Sequence, residues 1–213
     1  IKEIKTMNFA EYNVKDANLE EVLLALKSLD TVEAVALGGS RSTGASDENS
    51  DYDIYVYCAE IPTAETRENL LGKYCSIAEF GNHYWESEDN TVMNNGIPVD
   101  IIYREVDRFG RYIDTVIKGG KAFNGYTTAF WHNIKNSKVL FDKTGTFTKF
   151  RDMAQIDFPE NLRSAIIKNN RNLLNGKLPS YDRQIKKAQE RGDIVSVNHR
   201  ITAFLESYFD VIF

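Results

Sequence analysis

The sequence predicts an α+β fold: a small mixed β-sheet domain with flanking helices, followed by an all-helical bundle. Three observations carry that expectation. Apolar, β-branched runs at 32–38, 52–58 and 97–103 alternate with helical patterns in the first part of the chain. Asn94-Asn95-Gly96, set between Thr91-Val92-Met93 and Ile97-Pro98-Val99, is a strong hairpin signal. Beyond the stretch 145–158, only helical spacing remains. A chain of 213 residues holds one large domain or two small ones, and the change of pattern divides it into domains 1–148 and 149–213.

Asn18-Leu19-Glu20-Glu21 resembles a capping box, and Leu19, Val22, Leu23 and Leu26 repeat at helical spacing, predicting a helix over 19–29. Strand one follows at 32–38, a glycine- and serine-rich loop at 38–50, and strand two at 52–58. Pro62-Thr63 opens a helix expected to reach about residue 78, with Leu70, Leu71, Tyr74 and Ile77 on its apolar side. After the hairpin, Phe109, Tyr112, Ile113, Val116 and Ile117 make one helical face that ends at Gly119-Gly120. A short helix at about 126–135 precedes a strand at 138–141. Residues 159–175, 180–191 and 193–213 read as three further helices, broken at Gly176–Pro179 and Gly192-Asp193. The chain begins at Ile1 and stops at Phe213 inside an apolar pattern, so trimmed ends and an incomplete second domain are expected.

Composition narrows the function classes. A 42% hydrophobic, 27% charged chain is ordinary for a soluble globular protein. Net charge −5 and a pI near 5.3 argue against a protein whose main task is gripping nucleic acid. No membrane-length apolar stretch and no secretory pattern is seen, which points to the cytoplasm. Cys58 and Cys75 are too few for a disulfide framework and read as free thiols. His83, His132 and His199 show no metal-ligand spacing.

The chemistry concentrates in Leu37-Gly38-Gly39-Ser40-Arg41-Ser42-Thr43-Gly44 and Ser50-Asp51-Tyr52-Asp53-Ile54. Glycines after an apolar strand let backbone N–H groups approach an anion closely. In a strand, residues two apart share a side, so Asp51 and Asp53 project together while Tyr52 faces away. Paired carboxylates repel unless a cation lies between them, and hard oxygen ligands of this kind suit Mg²⁺ bridging to phosphates. Pro98-Val99-Asp100-Ile101-Ile102 adds one acid inside an apolar run, where an isolated carboxylate would be costly to bury.

Gly39-Ser40, a spacer of ten, Asp51-Tyr52-Asp53-Ile54, and the later Asp100 together resemble the signature of the polymerase-beta-like nucleotidyltransferase superfamily. Tyr52 is bulkier than the aliphatic residue usual there. The sheet-then-bundle layout is similar to antibiotic nucleotidyltransferases of the aminoglycoside and lincosamide type, whose acceptor sits between the two domains. Trp131-His132-Asn133-Ile134, with Val139-Leu140-Phe141-Asp142, loosely resembles their domain junction. The resemblance implies Mg²⁺, in two ions, held by Asp51, Asp53 and Asp100, with ATP or another nucleoside triphosphate as substrate. Asp100 either completes the metal cage or takes the acceptor's proton. Gly39 and Ser40 would hold the β- and γ-phosphates, the serine also capping a short helix, while Gly38 and Gly44 serve turn geometry. Arg41 would pair with a phosphate or brace Asp47 or Glu48.

The implied reaction moves a nucleoside monophosphate, AMP from ATP, onto a hydroxyl of a small acceptor, releasing pyrophosphate. Two other readings compete: an antitoxin-like enzyme that modifies a protein, and a nucleotide-binding regulator without catalysis. Isolated from their companions, Asp51 and Asp53 would read as turn-capping residues, and Asp100 as an edge-strand acid. The basic residues Arg163, Lys168, Arg171, Arg183, Lys186, Lys187 and Arg191 read as a solvated helix face. Glu206 and Asp210 read as surface carboxylates, and Tyr126, Phe130 and Trp131 as core aromatics.

Overall fold

The computed structural model describes residues 16–47 and 50–212. Six strands form one mixed sheet: β1 (Val32–Leu37), β2 (Tyr52–Cys58), β3 (Cys75–Asn82), β4 (Ser87–Met93), β5 (Pro98–Glu105) and β6 (Lys138–Asp142). Their order is β3-β4-β5-β2-β1-β6. The pair β2–β5 is parallel, and every other neighbouring pair is antiparallel.

The helix α1 (Ala17–Lys27) starts two residues before the expected position, because Asp16 rather than Asn18 caps it. The Asp16 carboxylate accepts from the amides of Asn18 (3.0 Å) and Leu19 (3.3 Å). Leu19, Val22, Leu23 and Leu26 are buried, as their spacing requires. They pack into one core with Val35, Leu37, Ile54, Val56, Val99, Ile101 and Tyr103. Tyr52, Ile54, Val56 and Cys58 thus turn to this core, leaving Asp53, Tyr55 and Tyr57 on the opposite face of β2.

One element was misread from sequence. The helix opened by Thr63, α3 (Ala64–Leu71), ends well before residue 78; a tight turn at Gly72–Tyr74 leads into the edge strand β3. Leu71 is buried, but Ile77, the fourth member of the apolar stripe, is 65% exposed. Backbone pairing of 75–82 with β4 overrides the helical spacing. Cys75 therefore lies on a strand and not in a helix.

The short helix expected in the glycine loop is α2 (Gly39–Thr43), whereas α6 (Thr146–Ala154), where the domain boundary was expected, was unannounced. Asp142 starts α6 by accepting from the Thr148 amide at 2.9 Å and its hydroxyl at 2.7 Å. Helix α4 (Val106–Ile113) widens into a π-turn at Asp114–Lys118, and α5 (Ala129–Asn136) follows. The last three helices, α7 (Glu160–Leu174), α8 (Tyr181–Glu190) and α9 (Ile194–Ile212), lie where the spacing put them.

The chain forms two compact units. One takes the described residues up to Arg111 together with Asn133–Gln155; the other takes Tyr112–His132 and Ile156 onward. The segment 112–132 thus groups with the later helices, where a single cut after residue 148 was expected. Within the second unit, Asp210 is buried rather than at the surface. Its carboxylate accepts from the Thr127 amide (2.8 Å), the Thr127 hydroxyl (2.9 Å) and Asn170 Nδ2 (2.8 Å). These bonds pin the 119–128 connection to α7 and α9. Glu206 is exposed, as are all seven basic residues named above. Trp131 packs on Phe158, whereas Tyr126 is 70% exposed and is no core residue. Among the described residues, no helix is long and apolar enough to cross a membrane.

The register of α1 gives a direct test. Leu23 is fully buried and its neighbour Leu24 is 52% exposed. Leu23→Ala is expected to lower unfolding free energy by about 3 kcal/mol and Leu24→Ala by less than about 1 kcal/mol, measured by denaturant melts.

Candidate functional site

The six residues singled out from sequence all fall in the first unit, at one end of the β1–β2–β5 strands. The chain leaves β1 through Gly38, whose amide donates to the Asp53 carbonyl at 2.9 Å. Side chains are excluded here. A Cβ on Gly38 would lie 2.3 Å from the Tyr55 ring, and one on Gly39 (φ +58°) 1.7 Å from Asp53 Oδ2. The glycine pair lets the loop lie directly on the Asp53 carboxylate. The residue capping α2 is Gly38, so Ser40 sits inside the helix rather than at its cap. Among the described residues the Ser40 hydroxyl makes no hydrogen bond, whereas Ser42 and Thr43 turn theirs back onto the carbonyls of Gly39 and Ser40.

Arg41 braces the loop entering β2. Its Nε donates to the carbonyls of Ser50 (3.0 Å) and Asp51 (2.9 Å), and Nη2 also reaches Ser50. The guanidinium lies 4.1 Å from the Tyr52 ring centre. Ser50 in turn donates to Asp47 Oδ1 at 3.0 Å. Glu48, the other expected partner, lies outside the described residues.

The three carboxylates come together because of strand register. Asp53 on β2 is paired with Asp100 on β5 across the parallel ladder, so both side chains leave the same face of the sheet. Asp51, exposed, stands two residues before Asp53. Burial pushes the Asp53 carboxyl up to about 6, and the negative charges of Asp51 and Asp100 push the same way. Asp53 and Asp100 are each only half-buried, so solvent and a ligand can reach them.

Sequence reasoning missed two residues here. Asn90 on β4 pairs with Asp100 and donates from Nδ2 to Asp100 Oδ1 at 2.9 Å; Asn82 on β3 donates to Asn90 Oδ1 at 2.6 Å. The hairpin turn contained the signal for Asn90: centred on Asn95, it sets Asn90 opposite Asp100. Asn82 was hidden because β3 had been read as helix up to residue 78. Further along the same face, buried Arg104 grips Glu86 with two bonds (2.7 and 2.6 Å) and reaches Asn133 Oδ1 at 3.1 Å. The Arg104 guanidinium also lies 4.3 Å from the Tyr55 ring centre. Cys58 is buried on the opposite face, its thiol pushed up to about 12 by burial, and is chemically inert.

The donors available to a cation are hard carboxylate oxygens, a set that suits Mg²⁺. Among the described residues, no three His, Cys, Asp or Glu side chains enclose a metal position by themselves.

Burial and, after it, like-charge crowding at Asp53 give a pH dependence with a definite sign. The folded carboxyl titrates about two units above its ordinary 3.8, so folding takes up a proton between about pH 4 and 6. The stability this group supplies is greatest below about pH 4 and is lost as pH rises through 6. In chelator-treated buffer at pH 7.5, Asp53→Asn is therefore expected to stabilise the protein by about 1–2 kcal/mol. That range discounts the full shift for solvent exposure. The gain should vanish by about pH 4 in thermal melts; an unchanged melt at pH 7.5 would contradict the crowding.

No curated protein matches the chain. Among solved structures, a nucleotidyltransferase-like protein from Exiguobacterium sibiricum 255-15 is 10% identical with a TM-score of 0.42, over 90% of this chain and 53% of its own. Cid1 in complex with its short product ApU is 19% identical with a TM-score of 0.37, over 50% of this chain and 34% of its own. A CCA-adding enzyme with CTP is 16% identical with a TM-score of 0.36, over 92% of this chain and 50% of its own. The chain thus spans from a third to about half the length of these structures. Residues 19–123, which contain Gly39, Ser40, Arg41, Asp51, Asp53 and Asp100, match the family described as the nucleotidyltransferase domain.

Proposed function

We propose that the protein is a Mg²⁺-dependent nucleotidyltransferase that moves AMP from ATP onto a hydroxyl of a small acceptor and releases pyrophosphate. The observation that carries this reading is the convergence of Asp51, Asp53 and Asp100 beside a loop kept free of side chains by Gly38 and Gly39. Asp51, Asp53 and Asp100 would hold the divalent cation. When bound, Mg²⁺ would supply charge neutralisation at the triphosphate and increase the acidity of the acceptor hydroxyl.

The remaining work falls to the chain itself. The Asp53 carboxyl, at about 6, is mostly ionised at neutral pH and ready to hold a cation. Backbone amides of the Gly39–Ser40 turn and the uncommitted Ser40 hydroxyl are assigned to the β- and γ-phosphates. Arg41 holds the main chain at Ser50 and Asp51, fixing the entry to β2 and with it the Asp51 side chain. Asp100 faces the same space and is assigned as a cation ligand. Positioning the acceptor hydroxyl in line with the α-phosphorus would account for much of the rate.

Catalysis is assigned to the sheet-bearing part within 1–148. A net charge of −5 favours a small, cationic, hydroxylated acceptor, such as an antibiotic of the aminoglycoside class, over a nucleic acid. The two free thiols fit a reducing cytoplasm.

Single substitutions Asp51→Ala, Asp53→Ala and Asp100→Ala are each expected to cut pyrophosphate release at least about 100-fold. The assay uses ATP, Mg²⁺ and a panel of hydroxylated acceptors, with circular dichroism confirming the fold. Undiminished transfer by any of the three would remove that residue from the site.

A further inference from the structure

Among the described residues, Asp100 is the one member of the triad whose carboxylate is tied to another side chain by a hydrogen bond within the sheet, and the tie extends across three strands. Asn82 on β3, Asn90 on β4 and Asp100 on β5 form a ladder with contacts of 2.6 and 2.9 Å. The direction of that ladder is fixed. Asn82 Nδ2 donates to Asn90 Oδ1, which leaves the Asn90 Nδ2 turned toward Asp100 Oδ1. A reversed Asn90 amide would set its carbonyl oxygen against a carboxylate oxygen, an acceptor facing an acceptor. The backbone adds rigidity: Asn90 and Asp100 are register partners in an antiparallel ladder that continues through Thr91↔Val99 and Val92↔Pro98 to the hairpin turn. Buried Thr91 strengthens it there by donating to the Val99 carbonyl at 2.8 Å.

We infer that Asn90, oriented by Asn82, is the positioning residue of the site: it occupies Oδ1 of Asp100 and so presents Oδ2 to the cation as a single-oxygen ligand. This rests on the reading of Asp51, Asp53 and Asp100 as the cation site. Its physical content is an orientation effect. A half-buried aspartate on a strand can turn about its terminal bond, and one fixed oxygen removes that freedom before the cation arrives. Because the donors come from β3 and β4, the outer strands of the sheet act on the site through Asp100.

The test is a double-mutant cycle read by direct binding. Mn²⁺ affinity of the full chain is measured from the electron paramagnetic resonance of free Mn²⁺, with α,β-methylene ATP present. Asn90→Leu, of similar volume, is expected to weaken Mn²⁺ binding about 10-fold in the otherwise unaltered protein. In an Asp100→Ala background it should change binding less than about 2-fold, since no carboxylate remains to be oriented. Asn82→Ala, on the edge strand, should act in the same direction by about 3-fold and also fall silent in that background. It carries the test if Asn90→Leu does not fold.

Unchanged Mn²⁺ affinity in Asn90→Leu and Asn82→Ala, with Asp100→Ala weakened, overturns the positioning role and leaves the cation site standing. Equal losses in both backgrounds mean a general structural effect and also overturn it. Unchanged affinity in Asp100→Ala overturns the cation site itself.

Discussion

The parallel pairing of β2 with β5 is the constraint on which the rest depends. It places Asp53 opposite Asp100, so two carboxylates 47 positions apart in the sequence leave one face of the sheet side by side. The same register sends Tyr52, Ile54, Val56 and Val99, Ile101, Tyr103 to the other face, where α1 and its leucines cover them. One alternation therefore builds the core and gathers the acids. A slip of one residue in either strand would bury a carboxylate against leucine and expose the core face. Partial burial is the main cause that pushes Asp53 upward, and the like charges gathered by this register add to it.

Around that pair, neighbouring elements fix the geometry rather than add charge. Two glycines keep the β1 exit thin enough to rest on Asp53, and Arg41 spends its guanidinium on main-chain carbonyls instead of on an acid of the triad. Asn90 and Asn82 restrain Asp100 from the other side. Farther along the face, Arg104 is neutralised by Glu86, and Tyr57 packs against Phe109 and Phe147. The carboxylate end of the face is open, and the aromatic end is filled.

Much of this was legible in the sequence because it is local. The period-two alternation of 52–58, the Asn94-Asn95-Gly96 turn and the helical spacing of the last three helices each follow from a few adjacent residues. What was not legible depends on pairing across the chain. Residues 72–78 keep helical spacing, yet the free edge of β4 recruits 75–82 as a strand; with β3 unseen, Asn82 could not be placed. Asp210 carries no local mark of burial, since its partners Thr127 and Asn170 come from elsewhere in the fold. The Asn18 cap failed for a smaller reason: Asp16, two residues earlier, caps the helix through the amides of Asn18 and Leu19, which leaves Asn18 inside the first turn.

The central claim, that three acids converge to grip a divalent cation beside the glycine turn, is tested most directly by anomalous scattering. Crystals of the protein would be grown with Mn²⁺ and α,β-methylene ATP, and data collected near the manganese absorption edge. An anomalous peak is expected within coordination distance of the Asp51 and Asp53 carboxylates, with Asp100 Oδ2 turned toward it. Nucleotide bound with no manganese peak at those carboxylates, or with the peak elsewhere on the molecule, would contradict it.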